Sequence, residues 1–207
     1  MELIFDLDFY NDDVHYIVGV DEAGRGCLLG DVVAGAVILP KDFSHPLIND
    51  SKKLTAKQRE KAYEIIMENA LAVGVGKCSP EEIDQLNILN ASRLAMVRAI
   101  NNLKHPYDLI LTDYMKIPDS IVPVVDVVHG DAKSLSIAAA SIIAKVTRDR
   151  MCVIYNKEYP EYHIDKNKGY GTKDHLEALE KYGPVKGLHR FSYTPVQKIF
   201  TKQIKLF

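Results

Sequence analysis

Acidic residues at the ends of three separate apolar runs restrict this chain more than any other feature. The first run, Ile17-Val18-Gly19-Val20, leads directly into Asp21-Glu22-Ala23-Gly24-Arg25-Gly26. A short apolar run closed by a glycine-rich turn reads as a buried strand, with Asp21 and Glu22 at its carboxyl end. Asp113 follows a second run, Leu109-Ile110-Leu111-Thr112, and Asp131 lies beyond a third, Val124-Val125-Asp126-Val127-Val128. In an open α/β sheet the carboxyl ends of the strands border the functional crevice, so acids remote in sequence can converge there.

Neighbouring strand residues point to opposite faces, so Asp21 and Glu22 serve one ion only if the chain turns at that point, which Gly24 and Gly26 permit. A solvated acidic loop is the commoner explanation of a lone Asp-Glu pair, and the pair alone does not decide between them. Several carboxylates brought together repel one another unless a cation is present. An all-oxygen cluster suits Mg²⁺ or Mn²⁺.

The rest of the pattern alternates strands and helices. A strand near 15–20 and a second over 31–39, closed by Pro40, predict a hairpin. Thr55 caps a helix over 56–70, followed by a strand at 71–76. Ser79-Pro80-Glu81-Glu82 is a cap with proline at the first helical position, opening a helical region that runs with a break to Leu103. Strands over 108–113 and 122–128 precede the small-residue run Ser136 to Lys145, a helix closely packed on the sheet. Its start is expected near Asp131, where the positive dipole end and free backbone donors face the site. Beyond Pro160 the sequence turns polar and glycine-punctuated, with a further helix over 173–181. The expected division is a core over 1–160 and a helical extension with a loop and tail over 161–207.

With 207 residues, 47% of them hydrophobic, the chain has ample material for a packed core. No stretch is apolar enough to span a bilayer and the first residues lack a secretory pattern, so a cytoplasmic protein is expected. Cys27, Cys78 and Cys152 have no metal or disulfide spacing and are expected to be reduced and mostly buried. A formal net charge of −2 does not signal nucleic-acid binding. Lysines and arginines nevertheless gather around the acidic motifs, although for any single lysine ordinary surface is the simpler explanation.

Taken together, these segments resemble the ribonuclease HII family, the type 2 ribonucleases H. The similarity rests on Gly19-Val20-Asp21-Glu22-Ala23-Gly24-Arg25-Gly26, Asp50-Ser51-Lys52-Lys53-Leu54, Ile83 to Leu89, Gly130-Asp131-Ala132-Lys133-Ser134, Ala138 to Arg150, and Gly169-Tyr170-Gly171-Thr172-Lys173-Asp174-His175. It runs over almost the whole chain, and the order and spacing of the fragments are more specific than any one of them.

The resemblance implies a ribonuclease H-like α/β core, a mixed five-stranded sheet flanked by helices, with a small helical C-terminal extension. It implies four metal-site acids, Asp21, Glu22, Asp113 and Asp131, holding Mg²⁺ or Mn²⁺. The activity implied is endonucleolytic: hydrolysis of the RNA strand of RNA/DNA hybrids and incision at single ribonucleotides in duplex DNA by two metal ions, leaving 3′-hydroxyl and 5′-phosphate ends. It assigns Gly24-Arg25-Gly26 to reading ribose 2′-hydroxyls and Tyr170 to stacking on the following deoxyribose. Ser51, Lys52, Lys53, Lys168 and Thr172 are expected on phosphates. His175 and His189 are expected to cap or bond within the core rather than act as bases.

The sequence departs from the family at Cys27 and Asp31, where prolines are usual, at Tyr114, where glycine is usual, and at Phe191, where arginine is usual. Tyr114 and Phe191 put the substrate preference, not the chemistry, in question. Gln203-Ile204-Lys205-Leu206-Phe207 resembles a peptide that docks on the bacterial sliding clamp, although Leu206 and Phe207 folding back on the body is the simpler alternative. A monomer is expected.

The sister ribonuclease HIII shares the acids but carries an extra amino-terminal domain, for which the residues before Asp21 leave no room. A silent nucleic-acid-binding module would be expected to have lost one of the four acids. A metal-dependent phosphatase would not need Arg25, Lys52, Lys53 and Tyr170 together.

Overall fold

The computed structural model describes residues 5–49 and 51–204, apart from the side chains of residues 203 and 204. A five-stranded sheet has the order β3-β2-β1-β4-β5. The strands are β1 (Ile17–Ala23), β2 (Val32–Ile38), β3 (Ala72–Cys78), β4 (Leu109–Asp113) and β5 (Val124–Val127). The predicted hairpin is present: β1 pairs antiparallel with β2, and β2 with β3. On the other side β1 runs parallel to β4, and β4 to β5, so Asp21 and Asp113 leave neighbouring strands at the same end of the sheet. Among the described residues the helices are α1 (Ala56–Asn69), α2 (Pro80–Leu86), α3 (Ile88–Asn101), α4 (Leu135–Glu158), α5 (Ile164–Asn167), α6 (Lys173–Tyr182) and α7 (Thr194–Ile204).

Local sequence sets most boundaries. Thr55 and Ser79 each form a capping box, with Gln58 and Glu82 answering from the third helical position. Asn87, at φ +66°, ends α2 and caps α3, which is the predicted break. Glycines decide how closely the helices approach the sheet. A Cβ at Gly74 or Gly76 would lie 2.1 Å from backbone oxygens of α3, and one at Gly19 or Gly35 would strike the backbone of α4. Thus α3 lies on one face of the sheet and α4 on the other, each sealed by its own apolar cluster.

Two expectations are corrected. The chain does not turn at Asp21 and Glu22: both stay in β1, paired opposite Gly35 and Ala34, and the strand ends only at Gly24, whose φ is +96°. Cross-strand bonds to β2 outweigh the local tendency to turn. Nor do the first donors of α4 face the site. The Ser136 N–H donates to Asp6 Oδ2 (2.8 Å) and the Ile137 N–H to Ser134 Oγ (3.1 Å), so the helix start is capped internally.

The C-terminal helices form a separate apolar cluster in which Leu179, Leu188 and Val196 pack on Leu28, Leu29 and Cys152. The loop between β1 and β2 is therefore held between the core and the extension. Cys27, Cys78 and Cys152 are free and buried, as expected.

Candidate active site

Four carboxylates lie at the carboxyl end of the parallel strands. Asp21 and Glu22 lie in the last three residues of β1, Asp113 ends β4, and Asp131 sits in the one-turn 3-10 segment Gly130–Ala132 after β5. Asp21 is 6% exposed, and its Oδ1 accepts the Glu22 N–H at 2.8 Å. Burial, followed by the charges of Glu22 and Asp113, pushes its carboxyl well above the ordinary range against the pull of the Ser141 hydroxyl. Glu22 is raised chiefly by burial too, although the Arg25 guanidinium, 3.3 Å from its Oε1, opposes this. Asp113 is raised by burial while the Gly130 N–H, 2.8 Å from its Oδ1, favours its charge.

Each of these three acids feels another's charge, yet they do not close on a common point. Among the described residues no group of three His, Cys, Asp or Glu side chains is arranged to hold an ion. The alternation of β1 explains part of this, because Asp21 faces α4 while Glu22 leaves from the opposite side of the strand. Asp131 is engaged elsewhere, its Oδ2 bonded to Lys52 Nζ at 2.8 Å. The donor set nevertheless fits a hard divalent cation. It is all oxygen, it carries the cost of clustered negative charge, and Glu22 Oε2 is buried without a hydrogen-bond partner.

That cost gives a pH signature. A carboxyl whose folded pKa is raised above its unfolded value, about 4, supports folding fully below that value and loses the contribution as pH rises through the folded one. Asp21, Glu22 and Asp113 therefore oppose folding increasingly over the interval from about pH 4 up through their raised folded values when chelator is present. Melting curves are expected to show stabilisation by Mg²⁺ growing across that interval; a constant increment would contradict the assignment.

The residues expected to meet substrate divide into two groups. Gly24, Arg25 and Gly26 lie beside Tyr170: a Cβ on Gly26 would come within 4.0 Å of its ring, and the Leu28 N–H donates to the Gly169 carbonyl at 2.8 Å. Tyr170 is 47% exposed, with its phenol beside the Cys27 thiol. Lys52 and Lys53 form an exposed 3-10 turn, with Lys52 acting as counter-ion to Asp131. Ser51 has a different task from the one expected. Its hydroxyl is buried against Ser141 Oγ at 2.9 Å, in the wall beneath Asp21, and is not presented to a phosphate. Thr172 caps α6, its oxygen accepting the His175 N–H, and the Lys168 carbonyl accepts from Arg148.

Two buried arginines, Arg148 and Arg190, act as structural clamps that residue spacing does not reveal. Arg148 donates to the carbonyls of Leu29, Asp31 and Lys168, and Arg190 to those of Arg25 and Gly30. Their guanidiniums fix the backbone of the glycine-rich loop from below. No local pattern marks them, because their partners are distant carbonyls. Phe191 packs edge-to-face with its ring 5.1 Å from Phe200, and its N–H donates to Asp84 Oδ2. Tyr114 remains 72% exposed at φ +51° next to Asp113.

The mixed sheet, its helical cover and the acids at the ends of its parallel strands place the chain in the class of ribonuclease H-like nucleases. A family model described as Ribonuclease HII matches residues 18–196. The chain belongs to the ribonuclease HII family and is a nuclease hydrolase. It is 51% identical to the ribonuclease HII of Caldanaerobacter subterraneus over 94% of this chain and 80% of that one. Among solved structures, the ribonuclease H2 from Pyrococcus horikoshii superposes with a TM-score of 0.78 at 28% identity, covering 92% of this chain and 99% of the other. A ribonuclease HII from Archaeoglobus fulgidus, solved in complex with PCNA, gives 0.71 at 27% identity, covering 86% and 95%.

Among the described residues no helix is long and apolar enough to cross a membrane.

Proposed function

We propose that this chain cleaves the RNA strand of RNA/DNA hybrids and incises on the 5′ side of single ribonucleotides embedded in duplex DNA, leaving 3′-hydroxyl and 5′-phosphate ends. Asp21, Glu22, Asp113 and Asp131 would hold Mg²⁺ or Mn²⁺. The observation that carries this is the gathering of mutually destabilised carboxylates at one end of the sheet, in a chain of this family. Bound divalent ions supply a water of lowered pKa and stabilise charge on the scissile phosphate and leaving oxygen.

The protein's own part is placement. Gly24 and Gly26 carry no side chain to hold a duplex off, so their backbone can approach a minor groove displaying 2′-hydroxyls. Arg25 supplies charged donors there. Tyr170, beside Gly26, is set to stack on the sugar that follows. Lys52, Lys53 and Lys168 add salt-sensitive attraction to phosphates. In this reading the core over 1–160 performs the hydrolysis and the extension over 161–207 presents Tyr170.

A duplex with one embedded ribonucleotide, incubated with Mg²⁺ or Mn²⁺, tests this directly. Cleavage 5′ of the ribonucleotide is the expected result. Cutting confined to longer RNA tracts would favour a ribonuclease HIII-like hybrid nuclease, and binding without cutting a silent module.

Docking on a sliding clamp through Gln203–Phe207 is a second element of the proposal. That tail falls outside the residues whose side chains are described, and the support is its sequence together with the PCNA complex of the Archaeoglobus relative. Removing residues 203–207 is expected to abolish clamp binding without changing cleavage; undiminished binding would remove the idea.

A further inference from the structure

A buried pair of imidazoles joins the two loops that would read the substrate. The Val185 N–H donates to His189 Nδ1 at 3.0 Å, which places the proton of a neutral His189 on Nε2. That Nε2–H points at His175 Nε2, 3.4 Å away, which must then accept. His175 is left with its proton on Nδ1, and donates it to the Tyr170 carbonyl at 2.9 Å. The bonds therefore run with one polarity, from Val185 through both rings to Tyr170. Both rings are buried against Tyr162. Burial lowers both imidazole pKa values, His189 to about 3, which keeps the pair neutral.

The relay is also tied to the glycine-rich loop. His189 forms a β-bridge with Leu29, the Gly30 N–H donates to the Leu188 carbonyl at 2.8 Å, and the Arg190 N–H donates to the Leu28 carbonyl at 2.9 Å. The Leu28 N–H in turn reaches the Gly169 carbonyl, next to Tyr170. Backbone bonds and two imidazoles thus close a ring joining Leu28–Gly30, residues 185–190, His175 and Tyr170. Neither imidazole is near the carboxylates by any contact in the structure, so the pair has no evident part in the hydrolysis itself.

We propose that His175 and His189 are positioning residues that set the spacing between the Gly24-Arg25-Gly26 loop and Tyr170, and through it the preference for a ribonucleotide followed by DNA. This rests on the role given to Tyr170 above. Uniform hybrids, which offer a 2′-hydroxyl at every step of one strand, depend less on that spacing than a single embedded ribonucleotide does.

The test has a spectroscopic arm and a kinetic arm, both on the full chain. Nitrogen-15 spectra of labelled histidines at neutral pH are expected to show His189 as the Nε2–H tautomer and His175 as the Nδ1–H tautomer. The opposite tautomer at either ring, or an imidazolium, overturns the relay. In the kinetic arm, His189→Phe keeps a ring but can neither accept from Val185 nor donate to His175, whereas His189→Gln can do both. His189→Phe is expected to lower kcat/KM on the single-ribonucleotide duplex by about tenfold with little change on a uniform hybrid, as a small misplacement of a substrate-positioning group would. His189→Gln should recover most of the loss. If Tyr170→Ala lowers the preference while His189→Phe leaves it intact, the positioning role is overturned. If Tyr170→Ala itself has no effect, the role given to Tyr170 fails, and the tautomer spectra still report on the relay by themselves. Should His189→Phe not fold, an equal loss of preference in His189→Gln despite native tautomers at His175 overturns the proposal, and retained preference supports it.

Discussion

Asp21→Asn is expected to abolish cleavage while raising the melting temperature of the metal-free protein. Asparagine keeps the shape of the side chain and an oxygen for the Glu22 N–H, so the end of β1 should hold its conformation. It removes a charge that burial and two neighbouring carboxylates already disfavour. The metal-free fold should gain on the order of 1 kcal/mol, about 2–4 °C for a chain of this size. Activity moves the other way. Ligated cations provide several kcal/mol of charge stabilisation in the transition state, and about 1.4 kcal/mol is a decade, so turnover should fall by roughly 10³-fold or more. Paired calorimetry in chelator and single-turnover cleavage in Mg²⁺ measure both halves. Full cleavage by the variant would remove Asp21 from the ligand set, and a large drop in melting temperature would contradict the electrostatic cost assigned to it.

Gly19→Ala is expected to be the most damaging single methyl group in the sheet. The added Cβ would stand 2.0 Å from the Ser136 carbonyl carbon, 2.2 Å from its oxygen and 2.4 Å from the Ile137 nitrogen. All three are backbone atoms, so no side chain can swing away; either α4 lifts or β1 bends. Overpacking of this kind costs about 1–3 kcal/mol when side chains can adjust and more when they cannot, so about 3 kcal/mol or above is expected here. Lifting α4 would also disturb Ser136, whose N–H meets Asp6, and Ser141, which lies under Asp21. Gly26→Ala is the control, since its Cβ would have only Tyr170 Cε1 in reach, at 4.0 Å. Thermal melts of the two variants should differ sharply; equal stabilities would mean that α4 does not lie where the structure places it.

What could be read from the sequence was local or periodic. The hairpin, the caps at Thr55 and Ser79, the close approach of the alanine-rich helix and the acids at the strand ends all follow from spacing and residue type within a few positions. What could not be read depends on partners far along the chain. The extension of β1 through Asp21 and Glu22 is imposed by β2. The start of α4 is capped by Asp6, 130 residues upstream. Ser51 looks like a phosphate ligand until Ser141 takes its hydroxyl, and nothing local pairs the exposed Lys52 with Asp131, 79 residues on. Arg148 and Arg190 read as ordinary cations, but each is surrounded by carbonyls that only the fold supplies. The spacing of the apolar runs and the family resemblance point to the same four acids, while their incomplete convergence is visible only in three dimensions.

Helix α4 also works as a ruler. Ser141 lies under Asp21 and Arg148 under the glycine-rich loop, seven residues on, which a rise of 1.5 Å per residue converts to about 10 Å. Both ends of that interval belong to one rigid rod, so the separation between Asp21 and the glycine-rich loop cannot be tuned by sliding one against the other. Inserting one residue between them would rotate everything beyond it by about 100° and dismantle the clamp rather than lengthen the gauge. Variation in that spacing must therefore be written into the loops that the rod carries.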